Sequence, residues 1–434
     1  MSGLATTTVV LISTVLLCAW FYRRSVRGEA RSAAVLEAAT SAGLVEPASL
    51  HPVIDPETCI GCGTCVDACP EGEILGLVDG KAKLIEPTRC IGHGACREAC
   101  PTSSITLVFG TETRGIDIPH VQPNFETNAP GIFIAGELGG MGLIRNAIEQ
   151  GRQAIESISK LGGIGEGSGL DVVIVGAGPA GFSASLAAMD RGLRFVTVEQ
   201  DTLGGTVSHY PRGKLVMTAP ADLPMVGKVR FTETTKEELL SFWQGVEQRT
   251  GVRIRYRERV EAITRAEGGF DVATPRETYR ARAVLLAIGR RGTPRKLGAP
   301  GEDREKVTYR LIDPEQYRGR HVLVVGGGDS ALEAAAGIAE QPGSTVTLSY
   351  RAEAFTRAKE KNRHRIENLA TSGRLRILTG SVVKTIDEDR IELEKEGRPE
   401  EIPNDAVIVC AGGILPTRFL QKVGIEVETK YGTT

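Results

Sequence analysis

The sequence predicts an α/β chain with two Rossmann-like three-layer dinucleotide-binding domains, preceded by a small α+β domain and an N-terminal transmembrane helix. Three observations carry this: two glycine-rich fingerprints set between an apolar strand and a helix, a doubled cysteine spacing, and an uncharged apolar run at the start. With 434 residues, 41% hydrophobic, and a net charge of -2, the chain has room for two or three cores. It lacks the basic excess that a nucleic-acid partner would require.

Leu4 to Tyr22 carries no charge and is long enough, at helical rise, to cross a hydrocarbon core of about 30 Å. Arg23, Arg24, Arg27 and Arg31 follow it and no basic side chain precedes it, so the positive-inside rule puts the N-terminus outside and the later domains in the cytoplasm. Residues 1–23 are read as a single-pass cell-membrane anchor. Residues 24–52, rich in Ala, Ser and Glu, are read as a partly helical tether.

Within residues 53–108, Cys59-x2-Cys62-x2-Cys65-x3-Cys69-Pro70 is followed by Cys90-x2-His93-x2-Cys96-x3-Cys100-Pro101. This is the bacterial two-cluster ferredoxin spacing, in which three thiolates on a tight loop face one iron-sulfur cube and the fourth, just before a proline, reaches to the other. Cluster one, a [4Fe-4S], is assigned Cys59, Cys62, Cys65 and Cys100. Cluster two is assigned Cys90, Cys96 and Cys69, with His93 where a fourth cysteine is expected. It is therefore either a [4Fe-4S] with a histidine ligand or a [3Fe-4S] with His93 nearby. Of nine cysteines only Cys18 and Cys410 lie outside this block, the accounting of a cofactor protein and not of a disulfide scaffold.

The first fingerprint, Asp171-Val-Val-Ile-Val-Gly176-Ala-Gly178-Pro179-Ala180-Gly181, runs from an apolar strand into a helix-like stretch. Gly176 permits the turn, Gly178 lets the backbone approach a pyrophosphate, and Gly181 allows helix and strand to pack closely. The next strand ends at Glu199, a carboxylate able to accept hydrogen bonds from an unphosphorylated ribose, which favours FAD. The second fingerprint follows His321 as Gly326, Gly328, Asp329, Ser330 and Ala331, with Ala331 in the third glycine's place. Its second strand leads to Ser349, Tyr350 and Arg351 with no acid at the ribose. Arg351, helped by Arg357, is expected to pair with a 2'-phosphate. NADP(H) is therefore preferred, with NAD(H) left open.

From Gly169 onward these motifs resemble the thioredoxin-reductase-like family of two-domain flavoproteins. Ala283 to Gly289 and Asp405 to Gly412 look like its crossover strands, and Gly204-Gly205-Thr-Val-Ser-His-Tyr210-Pro211 is most similar to the bacillithiol-disulfide-reductase-like branch. The resemblance implies an FAD domain over 169–295, an NADP(H) domain over 296–403, and a return to the FAD domain over 404–434. It also implies that Gly204 and Gly205 contact FAD. Thr127 to Glu137 resembles the segment that normally closes the FAD domain, where a glycine-acid pair meets the ribityl chain. Here the pair is Gly136 and Glu137, with Glu for the usual Asp, and it stands ahead of the first fingerprint. Residues 109–160 are therefore read as a circularly permuted closing segment whose helix, Met141 to Ile158, aims its N-terminus at the flavin. The chain end, Gly424 to Thr433, resembles the usual lead-in to Phe109-Gly110-Thr111.

The family's thiols are missing. There is no Cys-x-x-Cys between Pro294 and Arg351, none in Gly204 to Pro211, and Ala180 stands where the bacillithiol-linked branch is expected to have cysteine. Cys410, in an apolar strand, reads as core. The expected function is a membrane-anchored flavin-dependent oxidoreductase passing electrons between NADPH and the iron-sulfur clusters through FAD. A ferredoxin, quinone or small-molecule donor or acceptor would stand outside, and a homodimer is compatible with the sequence. No catalytic side chain is assigned, since the flavin carries the hydride chemistry. The alternatives are a disulfide reductase without an internal dithiol and a redox sensor.

Overall fold

The computed structural model describes residues 2–42, 44–47, 50–70, 72–90, 92, 94–112, 115–140, 142–166, 168–217, 220–230, 234–290, 292–356 and 358–433, with residues 2–10 and 293 described by their backbone only. The chain divides into two units, Met1–Arg114 with Gly432–Thr434, and Gly115–Tyr431.

The first unit opens with helix α1, Ser2–Ser41, followed by β1, His51–Ile54. A short helix α2, Thr64–Asp67, then a hairpin of β2, Leu75–Val78, and β3, Lys81–Leu84, precede a second short helix α3, Ala95–Glu98, and β4, Ile105–Val108. β1 pairs antiparallel with β4 and β2 with β3. The tether expected over 24–52 is helical as far as Ser41 and docked between Glu29 and Ser32. Arg31 Nη2 lies 3.0 Å from Glu73 Oε2, Glu29 Oε2 accepts from Gly80 N at 3.3 Å, and Ser32 fills the space beside Gly76. An Ala-rich stretch with a surface to pack on gains the tertiary contact that a lone helix lacks. The membrane span expected over Leu4 to Tyr22 gains no support. Among the described residues no helix is long and apolar enough to cross a membrane, and the side chains of residues 4–10 lie outside the described set. The topology and cytoplasmic placement derived from that span lose their basis with it.

The second unit begins with β5, Ile116–Pro119, which pairs antiparallel with Val427–Lys430. Next come β6, Ile132–Ile134; α4, Ile144–Ile158; β7, Leu170–Val175; α5, Pro179–Asp190; and β8, Phe195–Glu199. The first sheet runs Ile254–Tyr256, β8, β7, Thr278–Leu286, Gly269–Ala273, Ala262–Ala266, with β6 added parallel to Thr278–Leu286. β7 is buried on both faces, as a parallel strand covered from two sides must be. On α4 the buried Ala147, Ile148, Gly151, Ala154, Ile155 and Ile158 form one apolar stripe, and Gly151 lets α5 approach so closely that a Cβ there would sit 2.0 Å from Ala180 O. On another side α6, Lys236–Thr250, starts with a reciprocal Thr235–Glu238 capping box and seats Trp243 against Phe182.

The second sheet is five parallel strands in the order Val307–Thr308, Ala406–Val409, His321–Val325, Thr345–Tyr350, Leu375–Thr379. Helices α7, Asp329–Ala339, and α8, Glu360–Thr371, pack against it, and a three-stranded meander from Ser381 to Pro403 adjoins it. The domain boundary expected after residue 403 falls later. Ala406–Val409, apolar and fully buried, completes the second sheet, and the chain crosses back where Gly413–Ile414 pairs with Thr293–Pro294.

Candidate cofactor-binding sites

In the first unit, one cavity is lined by Cys59, Cys62, Cys65 and Cys100, the four residues the spacing assigned to cluster one. Four sulfur donors on an apolar wall that includes Ile54, Ala82 and Ile105 suit an iron-sulfur cube. The Thr64 hydroxyl lies 3.2 Å from Cys62 Sγ and holds that thiol below its ordinary pKa. For Cys100 burial works upward, but hydrogen bonds from Thr102 and Ser104 outweigh it and the net shift is downward. Burial pushes the Cys65 thiol up to about 11 and also raises Cys96. Cys96 feels the charge of Cys69, its expected partner in cluster two, while Cys90 Sγ points to Leu50 O at 3.9 Å. His93 lies outside the described residues. Among the described residues no three His, Cys, Asp or Glu side chains converge on one metal-ion position.

The first glycine loop joins β7 to α5. Gly176 N donates to Val198 O at 2.8 Å, and its φ of 104° is open to glycine at little cost. Pro179 occupies the first helical turn, where its missing N–H removes nothing. A Cβ on Gly181 would lie 1.8 Å from Gly176 O, whereas the space at Gly178 is open out to Gly204 O at 3.9 Å. That opening at the N-terminus of α5 is the cradle a pyrophosphate needs. Gly204 N closes the loop on Ala177 O at 2.9 Å, and Gly205 packs beside Gly178. Glu199 is buried, accepting from Ala177 N at 2.7 Å and Asp201 N at 2.9 Å; burial raises its pKa against those two bonds.

Gly136 and Glu137 come to the same loop. A Cβ on Gly136 would be 3.0 Å from Ala180 Cβ, and Gly136 N donates to Gln150 Oε1 at 2.8 Å. The Glu137 carboxylate and the Thr206 hydroxyl both reach within 3.9 Å of the Cβ position of Gly289. Arg290, next along, donates to Asp117 O at 3.0 Å and feels Glu137, while burial lowers its pKa. The sequence reading assigned no role to Gln150 or Arg290, which carry no motif and are assembled only by the fold, nor to Thr206, which lies inside the Gly204 to Pro211 run without a role of its own there.

In the second loop Gly326 N donates to Ser349 O at 2.9 Å, Gly328 faces open space, and Ala331 is fully buried. Asp329 Oδ1 accepts from Lys359 N at 2.8 Å and Asn362 Nδ2 at 2.7 Å, tying the segment after Arg351 to the start of α7. Ser330 carbonyl lies 3.8 Å from Cys410 Sγ. Cys410, read as core, is half-buried just past its strand. Arg351 is exposed and Arg357 lies outside the described residues. Lys214 Nζ bonds Glu333 Oε2 at 2.7 Å, linking the segment after Gly205 to α7.

The family profile described as pyridine nucleotide-disulphide oxidoreductase matches residues 173–433, and one described as a 4Fe-4S dicluster domain matches residues 51–101. The chain is 28% identical over 268 residues to bacilliredoxin reductase Bdr of Bacillus subtilis, covering 60% of this chain and 82% of that one. It is 28% identical over 267 residues to a ferredoxin–NADP reductase of Ignicoccus hospitalis, covering 60% and 83%. A ferredoxin–NADP reductase of Streptococcus pyogenes is 30% identical over 254 residues, covering 56% and 73%. Among solved structures, bacillithiol disulfide reductase Bdr from Bacillus cereus superimposes with a TM-score of 0.55 at 25% identity, covering 60% of this chain and 82% of that one.

Proposed function

The chain belongs to the pyridine nucleotide-disulphide oxidoreductase family, with a 4Fe-4S dicluster region ahead of the matched part, and from that premise we propose that it moves electrons between NADP(H) and an external one-electron partner, using FAD and its iron-sulfur clusters. The observation that carries this is the cavity lined by Cys59, Cys62, Cys65 and Cys100, a four-thiol donor set in the same chain as both glycine loops. FAD, when bound, supplies the conversion between a two-electron hydride and single electrons.

The chain's own residues bind and orient. The N-terminal N–H groups of α5 and α7 would receive the two pyrophosphates, Glu199 the FAD ribose, Gly136 and Glu137 the ribityl side, and Arg351 a 2'-phosphate. Thr64, Thr102 and Ser104 favour the thiolate forms of Cys62 and Cys100, the forms iron takes. Residues 109–160 are read as the permuted closing segment; supporting this are β6 beside Thr278–Leu286, α4 on α5, and the ladder of β5 with Val427–Lys430. The relatives named ferredoxin–NADP reductase support a redox protein as the external partner.

A second reading, reduction of a small disulfide, is favoured by the relatives named for that activity and by half-exposed Cys410 beside the second loop. An internal relay needs two thiols, and Cys410 is the only cysteine between residues 115 and 431. Anaerobic titration of the reconstituted chain with NADPH decides between them, with optical spectra following the flavin and electron paramagnetic resonance following the clusters. Cluster signals growing as the flavin bleaches support the one-electron path. A bleached flavin with oxidised clusters, together with turnover on a disulfide that Cys410→Ser abolishes, supports the second reading.

A further inference from the structure

The two halves of the cysteine block repeat one arrangement with a change of charge. In the first half a Cβ on Gly61 would lie 2.1 Å from Gly80 O, so the β2–β3 turn presses on the ligand loop; in the second, Leu50 O presses on Gly92 at 2.4 Å. One turn on, Gly63 faces Leu77 Cδ1 and Gly94 faces Leu107 Cδ1, at 3.7 and 3.3 Å. The residue after each pressing carbonyl opens the covering strand, Lys81 on β3 and His51 on β1. Lys81 Nζ donates to Cys59 O at 2.6 Å from a partly buried position. The matching point of the second half holds a buried histidine.

We propose that Lys81 is a positioning residue that sets the reduction potential of the first cluster, holding the backbone of its first ligand and favouring its reduced state. This rests on the iron-sulfur reading of the site. Reduction adds one electron and therefore one negative charge, breaks no bond and moves no proton; the electron comes from the nicotinamide donor, or from dithionite in the experiment below. A fixed cation beside the ligand loop stabilises that added charge, and partial burial leaves the interaction less screened than at the surface. Asp55 works in opposition. Its backbone carbonyl accepts from Cys59 N at 3.1 Å, and its carboxylate is held beside that loop by hydrogen bonds from Glu57 N at 2.9 Å and the Thr58 hydroxyl at 2.8 Å. At the equivalent strand start the second half carries His51 in place of a lysine, so the two halves are tuned apart.

The test is a dithionite redox titration of the full reconstituted chain followed by electron paramagnetic resonance, with the signal that survives Cys90→Ser identifying the first cluster. Lys81→Gln is expected to disfavour the reduced first cluster about tenfold, a fall of about 59 mV for one electron. Lys81→Arg, which keeps the charge and a donor, restores the parent potential, and Asp55→Asn raises it. The second cluster stays put in all three. An unmoved first-cluster potential in Lys81→Gln, or an equal shift of both clusters, overturns the proposal. If Lys81→Gln loses the cluster, Asp55→Asn decides, and its failure to raise the first potential overturns the proposal as well. Iron and acid-labile sulfide separate the two levels. A parent chain that takes up neither defeats the iron-sulfur reading, whereas full content with unmoved potentials defeats only the role of Lys81.

Discussion

The two glycine loops share a backbone course and part most sharply where the next strand ends. Gly176 N bonds Val198 O and Gly326 N bonds Ser349 O, so the register makes Glu199 and Tyr350 counterparts. Glu199 turns its carboxylate onto Ala177 N, whereas the Tyr350 ring lies against Gly327, where a Cβ would fall 2.3 Å from its Cζ, and stacks on Phe355 with centroids 5.4 Å apart. One strand end offers acceptors, the other an aromatic face followed by the exposed Arg351. On the proposed reading, the strand–loop–helix unit would receive a phosphate, and the last residues of the next strand would choose what is attached to it.

The comparison is tested hardest at the third glycine. Gly181→Ala would set a Cβ 1.8 Å from Gly176 O, so α5 must back away; a loss of at least about 3 kcal/mol is expected, with bound FAD lost too. In the second loop the fold already accepts Ala331, and Ala331→Gly should cost only about 1 kcal/mol of helix stability. Urea unfolding and flavin content measure both. Equal costs at the two positions would show that the loops are not packed differently after all.

Next in size is the strand-end pair. Glu199→Ala removes the acceptor of two backbone N–H groups and should weaken FAD binding by about 30- to 100-fold, on the order of 2–3 kcal/mol, while leaving NADPH affinity unchanged. Arg351→Gln should do the reverse, raising the KM for NADPH by roughly tenfold or more with little change for NADH and no loss of flavin. If Arg351→Gln affects both nucleotides alike, the 2'-phosphate assignment fails and the aromatic face of Tyr350 becomes the stronger determinant.

How much of this was legible depends on whether a residue's role is local. Gly176, Gly181 and Glu199 could be read because strand, turn, helix and acid follow one another in sequence, and the cavity walled by Cys59, Cys62, Cys65 and Cys100 follows from one spacing rule. Tyr350 was placed at the strand end that lacks an acid, but its ring over Gly327 and its stack on Phe355 are tertiary and carry no sequence signal. Arg290 and Lys81 were invisible for a related reason: each meets its site across a sheet or turn, with no motif of its own. The tether was read as partly helical, and it is helical to Ser41; that this helix docks was not legible, because Ser32 over Gly76 and Arg31 on Glu73 are tertiary contacts. The strand Ala406–Val409 was placed in the wrong sheet because an apolar run says that a strand is buried and not which neighbours bury it.

The smallest effect is electrostatic and belongs to the first loop. Burial holds the Glu199 pKa above its ordinary value in the apo-protein, so in the window between that value and the raised one the folded chain binds more protons than the unfolded chain. Stability from this group is therefore complete below the ordinary glutamate range and is lost as pH rises through the raised pKa. Glu199→Gln removes the titration. The variant's apo-protein should gain thermal stability relative to the parent at neutral pH and show no gain near pH 4. Scanning calorimetry of the two apo-proteins across that range checks the sign. A gain that persists at the acid end would mean that the glutamine simply packs better, and that the carboxylate is kept at the end of β8 for the ribose at no electrostatic cost.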